Sequence, residues 1–200
     1  SSAKWHLAHV TWFYEVMLLK PFEEKFAFWN LEFAVLFNSY YNVIGDKHPR
    51  SKRGLLTRPS LAEVLLWRKN IEDRVTELLK EKCSSKLLWL IQIGINHEQQ
   101  HQELLLTDIH HLFSNNSLFP AYVSQSTHGS STNEPFQWLK GVSGLVDIGY
   151  EGDGFHFDNE APKHSALNQI HSIGNRLVSN AEWLQFMEDD GYQNFQWWLD

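Results

Sequence analysis

Length, composition and charge describe a globular chain with enough apolar material for a core. The 200 residues are 42% hydrophobic and include nine tryptophans, which suits one large domain or two small ones. The net charge of −7 comes from 24 acidic and 17 basic residues spread along the chain, which excludes nucleic acid as an expected partner. No apolar run reaches the ~20 residues of a membrane helix. The single cysteine, Cys83, predicts a reducing compartment, the cytoplasm.

Apolar periodicity predicts four helices in the first part of the chain. Pro21 ends the first pattern, and Ser60 and Glu63 form a capping box that starts the third helix. The four helices are expected over Ala3–Lys20, Leu31–Val43, Leu61–Lys82 and Lys86–Phe113. Helices joined in this way form a four-helix bundle.

The composition changes after the fourth helix. Residues 124–135 are polar and small, which predicts a linker or mobile loop. Short apolar runs then predict strands over Gly141–Tyr150, Phe155–Phe157 and Ala166–Ile173, and a second capping box at Ser179 predicts a helix to Glu188. The fold class is therefore α+β. Residues 136–200 hold little regular core, so we expect an incomplete domain and a chain that is a fragment of a longer protein.

A basic loop interrupts the otherwise acidic chain. It runs from Lys47 to Arg53 and is followed by Arg58. The loop is too short and too rich in proline for a membrane helix, and it predicts a pocket for small anions.

The sharpest local pattern is a pair of histidines, His97 and His101, one turn apart on the fourth helix. Two imidazoles at this spacing lie on one helix face and can reach one metal ion. The alternative is a pair of polar residues on a solvated face. Ile91 and Leu105 favour a largely buried helix, in which a histidine needs a partner.

One interpretation of this pair is a zinc protease in which Glu98 is the general base. The long form of that motif requires a glycine at Leu104 and a histidine at Thr107, and the chain has neither. The shorter form takes a downstream glutamate as its third ligand, and Glu182 and Glu188 are formally available.

The other interpretation takes a third histidine from another helix. His6 and His9 on the first helix are the candidates. They are separated by about 300° of helix rotation, from which we expect only one of them on the core face. His9 shares the apolar face of Trp5 and Trp12 and is the predicted ligand, although a lone histidine on such a face is more often a core residue.

Several longer motifs resemble the iron-dependent sulfoxide synthases of ergothioneine biosynthesis. The resemblance implies a DinB-like four-helix bundle over residues 1–123, the linker at 124–135, and over 136–200 the first part of a domain similar to formylglycine-generating enzyme, of C-type-lectin-like fold. The motifs are Trp5–His9, Thr11–Phe13, Phe37–Tyr41, His48–Arg50, Arg53–Leu56, Arg58–Ser60, Asn96–Glu103, Gly152–Phe155, Phe157–Glu160, Pro162–His164 and Arg176–Asn180.

The resemblance implies an iron(II) site held by His9, His97 and His101. Three neutral imidazoles leave three coordination positions free. The family joins hercynine (trimethylhistidine) to cysteine or gamma-glutamylcysteine with dioxygen, and it oxidises the sulfur to a sulfoxide.

The resemblance also implies roles for five further residues. Arg50 and Arg53 are expected to hold the carboxylate of the sulfur donor. Gln100 is expected to bind the substrate imidazole, and Tyr40 or Tyr41 to donate a proton or hydrogen atom. Ordinary surface or packing roles stay open for each. A zinc hydrolase and a non-catalytic metal-binding or thiol-transfer module remain the alternative functions.

Overall fold

The computed structural model describes residues 1–39, 45–124 and 135–198. The chain divides into two compact units, Ser1–Ser126 and Thr127–Asp200. Within the described residues it is rich in helix and has a few short antiparallel strands, as the α+β prediction requires. No helix in these ranges combines the length and the apolar character needed to cross a bilayer.

The first helix of the first unit changes its pitch along its length. Helix α1 covers Ala3–Phe13 and is capped by the Ser2 hydroxyl, which accepts a hydrogen bond from the Trp5 amide. A π-helical segment, Tyr14–Leu19, follows directly and leads into the short α2, Lys20–Phe22. The continuous helical run therefore ends one residue beyond Pro21.

Two long helices follow the positions predicted from the sequence. Helix α4 covers Leu61–Glu81 and begins with the predicted capping box, in which Ser60 Oγ accepts from the Glu63 amide at 3.2 Å. Helix α5 covers Ser85–Ser114 without a break and is capped by Ser84. Helix α1 packs against both of them.

The second predicted helix is much shorter than expected. Helix α3 covers only Phe33–Leu36, whereas the prediction started at Leu31 and ran to Val43, which lies outside the described residues. Asn38 explains why the described part stops early. Its side-chain amide donates to the Gly45 and Asp46 carbonyls at 3.1 and 3.3 Å, so it stabilises a loop rather than another helical turn. A 3-10 helix over Arg50–Leu55 follows in the basic loop.

Aromatic rings from α1, α3 and α4 form the core of this unit. Trp12 and Trp67 are fully buried, and Phe33 and Phe37 pack against the Trp67 ring. Helix α5 contributes less than predicted: only Leu87 and Gly94 are buried along it. A helix of 30 residues is about 45 Å long, so the shorter α1 and α4 can cover only part of its surface.

The second unit contains two small antiparallel sheets. Strand β1 (Trp138–Lys140) pairs with β4 (Ser172–Gly174), and β2 (Gly144–Ile148) pairs with β3 (His164–Asn168). The strand predicted at Phe155–Phe157 is wrong: this segment is irregular and leads into a 3-10 helix, Asp158–Glu160. Helix α6 covers Asn180–Glu188 behind the predicted capping box, and a 3-10 helix follows at Phe195–Trp197.

Candidate metal centre

Three histidines from two helices meet in the first unit. His9 lies on α1, and His97 and His101 lie one turn apart on α5. One ring nitrogen from each lies within 4.8 Å of the other two. The ring centroids are 4.7 to 5.0 Å apart, so the three imidazoles face a common point where they could share one metal ion.

Aromatic stacking fixes the position of His9. Its ring is nearly parallel to those of Trp5 and Trp12, at centroid distances of 4.9 and 5.5 Å. Its Nδ1 lies 2.6 Å from the Phe37 carbonyl oxygen, which can only accept, so Nδ1 carries the proton and donates. The lone pair of His9 is therefore on Nε2, the nitrogen free to bind a metal.

Burial keeps these imidazoles neutral. Desolvation lowers the pKa of His9 to about 3, that of His97 to about 4 and that of His101 to about 3. For His9 and His101 the neighbouring histidines of the cluster lower the pKa further. Neutral imidazole is the form that binds a metal ion, so the cluster does not have to lose protons first at neutral pH.

His97 supplies a test of whether the site suits a metal. Its Nδ1 is buried and has no hydrogen-bond partner among the described residues. A buried imidazole nitrogen without a partner is uncommon and calls for a ligand, a water or an ion. The donor set, three neutral nitrogens, fits a transition-metal ion such as iron(II) or zinc(II).

The expectation that only one of His6 and His9 faces the core is wrong. Both are buried, and His6 Nδ1 lies 2.9 Å from His101 Nδ1. The error is geometric: about 300° of helix rotation equals about 60° in the other direction, so residues three apart are neighbours on one face. His9 nevertheless remains the residue that clusters with His97 and His101.

The three histidines open into a cavity of about 250 Å³. Arg53 is buried beside it, with its guanidinium carbon 3.8 Å from the centroid of the Trp5 ring and Nη2 donating to Ser39 Oγ at 3.0 Å. Arg50 is more exposed and also lines the cavity, as does Gln100. The sequence-predicted site residues Arg50, Arg53 and Gln100 therefore share one cavity with the histidines. Tyr40 and Tyr41 lie outside the described residues.

Glu98 does not join the cluster. Its carboxylate accepts a hydrogen bond from Arg68 Nη2 at 2.6 Å, and it lines a different cavity, of about 280 Å³, with Tyr14 and Arg68. Glu182 has other partners as well, since it closes the capping box of α6 and forms two hydrogen bonds with Arg176. These contacts count against the zinc-protease interpretation, in which Glu98 acts on a water at the metal.

Two polar residues beside the cluster are not among the predicted site residues: His6, the alternative to His9 on the first helix, and Asp108. His6 Nε2 lies 3.0 Å from Asp108 Oδ2. Asp108 follows His101 by two turns of α5, so the pattern of positions 97, 101 and 108 on one helix face could have revealed it.

The helices, the short strands and the cluster define a helix-rich α+β protein with a candidate three-imidazole metal site. No family model matches the chain. The chain is 27% identical over 163 residues to the hercynine oxygenase of Mycolicibacterium thermoresistibile, a match that covers 76% of the chain and 34% of that protein. It is 28% identical over 159 residues to the hercynine oxygenase of Mycobacterium tuberculosis, covering 77% of the chain and 36% of the relative.

A third relative agrees with these two. The hercynine oxygenase of Mycolicibacterium smegmatis is 31% identical over 110 residues, which are 52% of the chain and 24% of that protein. The resemblance drawn from the sequence motifs is thus confirmed: the chain is similar to hercynine oxygenases. It spans about a third of the length of the first two relatives.

Proposed function

We propose that this chain is the metal-binding part of a non-haem iron(II) enzyme, a sulfoxide synthase of ergothioneine biosynthesis. The reaction replaces a ring C–H bond of hercynine and the S–H bond of cysteine or gamma-glutamylcysteine by a carbon–sulfur bond, and it oxidises the sulfur to a sulfoxide. Dioxygen takes up the electrons of both changes, and its second oxygen atom leaves as water. The observation that carries the proposal is the cluster of His9, His97 and His101 in a chain similar to hercynine oxygenases. The single cysteine supports the cytoplasm as the compartment.

His9, His97 and His101 would hold the iron. They are neutral and buried, and His9 already directs Nε2 away from its backbone partner. When bound, iron(II) would pass electrons from the substrates to dioxygen and would offer the open coordination positions that an oxygen-dependent sulfur transfer requires. The stacked Trp5 and Trp12 rings hold His9 rigidly, which reduces the reorganisation needed for binding.

The cavity walls suit small, charged substrates. Arg53 and Arg50 are proposed to bind the carboxylate of the sulfur donor, for which a planar guanidinium offers paired donors. Gln100 is proposed to hydrogen-bond the imidazole of hercynine from the same cavity. We keep Tyr40 or Tyr41 as the proposed donor of a proton or hydrogen atom, on the strength of the family resemblance alone.

The two compact units support a two-domain organisation. We propose a DinB-like bundle over residues 1–123, a linker at 124–135, and over 136–200 the first part of a domain like that of formylglycine-generating enzyme. The small paired strands and the capped helix α6 of the second unit are compatible with an α+β domain of that kind.

Metal analysis and oxygen uptake test this proposal together. Protein purified without oxygen is expected to bind one iron(II) per chain, and His9→Ala to lose it. A longer polypeptide is used for the activity test, one that contains this chain and the region that the relatives have beyond the match. It is expected to consume oxygen only with both hercynine and a thiol, and to form a sulfoxide product that mass spectrometry identifies.

Glu98→Gln is the control for the hydrolase alternative. It is expected to keep iron binding and thiol-dependent oxygen uptake, because Glu98 contacts Arg68 rather than the cluster. Full occupancy by zinc, with no oxygen uptake in the presence of both substrates, would contradict the proposed function.

A further inference from the structure

His6 connects one of the clustered imidazoles to a carboxylate. Its Nδ1 lies 2.9 Å from His101 Nδ1, and its Nε2 lies 3.0 Å from Asp108 Oδ2. Both ring nitrogens of this buried side chain are therefore engaged, one by each neighbour. His101 and Asp108 stand on the same helix, α5, and His6 reaches them from α1.

The order of partners determines where the protons lie. An ionised carboxylate can only accept, so the proton between His6 and Asp108 belongs to His6 Nε2. A neutral His6 then has its lone pair on Nδ1 and must accept from His101 Nδ1. His101 consequently carries its proton on Nδ1 and its lone pair on Nε2.

We propose that His6 and Asp108 are positioning residues, which hold His101 in the tautomer that presents Nε2 to the metal. The proposal rests on the metal site of the proposed function. It assigns no contact between His6 and the metal or substrates: His6 acts through His101, and Asp108 acts through His6.

The three candidate ligands differ in how their orientation is secured. The Phe37 backbone carbonyl fixes His9, whereas two side chains in series fix His101. Hydrogen bonds from a ligand histidine to a carboxylate fix the ring and raise its basicity, and removing such outer partners costs about 10–100-fold in metal affinity. The His101 orientation can therefore be changed by substitution without touching any ligand.

Asp108→Asn is the sharpest substitution because it keeps the shape of the side chain. Its amide can donate to His6 Nε2, which would reverse both hydrogen bonds and move the His101 proton to Nε2. Its carbonyl can instead accept, but it is a weaker acceptor than a carboxylate. Both arrangements weaken metal binding through His101. The Asp108 side chain is 24% exposed, so the change places no new polar group in the core.

The hydrogen bonds that link His101, His6 and Asp108 form a relay. Co²⁺ binding to this chain tests this relay without relying on turnover. Titration followed by visible absorption is expected to show about 10-fold weaker binding in Asp108→Asn and up to about 100-fold in His6→Ala. Asp73→Asn is the matched control, since Asp73 pairs with Lys69 on the exposed surface of α4, and it is expected to bind Co²⁺ as the parent does. Circular dichroism and thermal melting would verify that each variant is folded.

Imidazole ¹⁵N spectra of the metal-free chain provide a second readout. The parent is expected to show His101 protonated on Nδ1, and Asp108→Asn to shift the proton toward Nε2. This measurement keeps the proposal testable if His6→Ala does not fold, and a purely structural role for Asp108 would not change the tautomer.

The outcomes separate the relay from the metal site itself. If the parent chain does not bind Co²⁺, both the metal site and the relay are wrong. If the parent binds while folded Asp108→Asn matches it in affinity and in tautomer, the relay alone is wrong and the metal site stands.

The Ser1 ammonium needs its own control because it also donates to Asp108 Oδ2, at 2.6 Å. Adding residues before Ser1 removes this ammonium from Asp108 and leaves the carboxylate in place. We expect the Co²⁺ affinity to remain within about twofold of the parent, well short of the loss expected for an outer partner. A loss equal to that of Asp108→Asn would assign the effect to the ammonium and overturn the relay.

Discussion

Replacing Glu98 by glutamine distinguishes a metal centre in which this residue is structural from a hydrolase in which it is the general base. In the structure Glu98 pairs with Arg68, and their side chains are 27% and 23% exposed, respectively. Disrupting an exposed pair costs ~0.2–1 kcal/mol and disrupting a buried pair ~3–5 kcal/mol. Arg68 retains Glu72 at 2.8 Å, so we expect a loss of about 1 kcal/mol in the free energy of unfolding.

Thermal melting and a metal titration measure the two consequences of Glu98→Gln. A loss of about 1 kcal/mol corresponds to a melting temperature lower by about 4 °C for a unit of this size, while metal affinity is expected to stay unchanged. Glu72→Gln is the matched control: it removes the other, more exposed partner of Arg68 and should cost at most about 0.5 kcal/mol. A tenfold loss of metal affinity in Glu98→Gln would refute the structural role assigned to Glu98. So would a metal-dependent hydrolysis that Glu98→Gln loses and Glu72→Gln keeps.

Three further predictions concern the cluster and its wall. His9→Ala should weaken metal binding by more than ~100-fold, since loss of an outer partner alone costs about 10–100-fold; a titration that matches the parent would exclude His9 as a ligand. Burial lowers the pKa of His9 to about 3 and that of His97 to about 4. Below pH ~6.5 these two imidazoles therefore become protonated in the unfolded chain but stay neutral in the folded chain. The free energy of unfolding of the metal-free chain should therefore be highest above pH ~6.5. It should fall toward pH ~4 by up to ~1.4 kcal/mol per pH unit for each histidine. Equal urea midpoints at pH 7 and 5 would contradict this. Arg53→Lys should lower the free energy of unfolding by about 1–2 kcal/mol because the guanidinium stacks on Trp5, and it should raise KM for the thiol more than it lowers kcat. Arg50→Lys changes a more exposed residue and should affect stability less. Equal urea midpoints for the two variants would argue against the stacking contribution.

Local chemistry made the long helices predictable. The Ser60 and Glu63 capping box, and the unbroken apolar pattern of α5, act within a few residues and need no knowledge of the rest of the fold. The same holds for His97 and His101, whose spacing alone places them on one helix face. These features were predicted close to their observed bounds.

Features that depend on distant partners were predicted less well. Within the described residues, the helix expected from Leu31 is limited to Phe33–Leu36 because the Asn38 side-chain amide donates to the Gly45 and Asp46 carbonyls of a loop. Helix α5 is more exposed than its apolar residues suggested, since burial depends on how many helices pack beside it. The prediction that His6 points away from the core is wrong because residues three apart share a helix face. Helix spacing can place Asp108 on the face of His101, but it cannot pair Asp108 with His6, which lies 102 positions earlier in the chain.

The π-helical segment Tyr14–Leu19 sets the two ends of the first helix out of phase. Each residue of an α-helix turns the chain by about 100°, so the wider π turn rotates the later residues relative to the part that carries His9. Both α1 and the π-helical segment pack against α4 and α5, and the segment buries Glu15 and Leu18 fully. A π turn holds one residue more than an α turn, so deleting one residue inside the segment should convert it to α-helix while His9 and the residues after the segment keep their present faces.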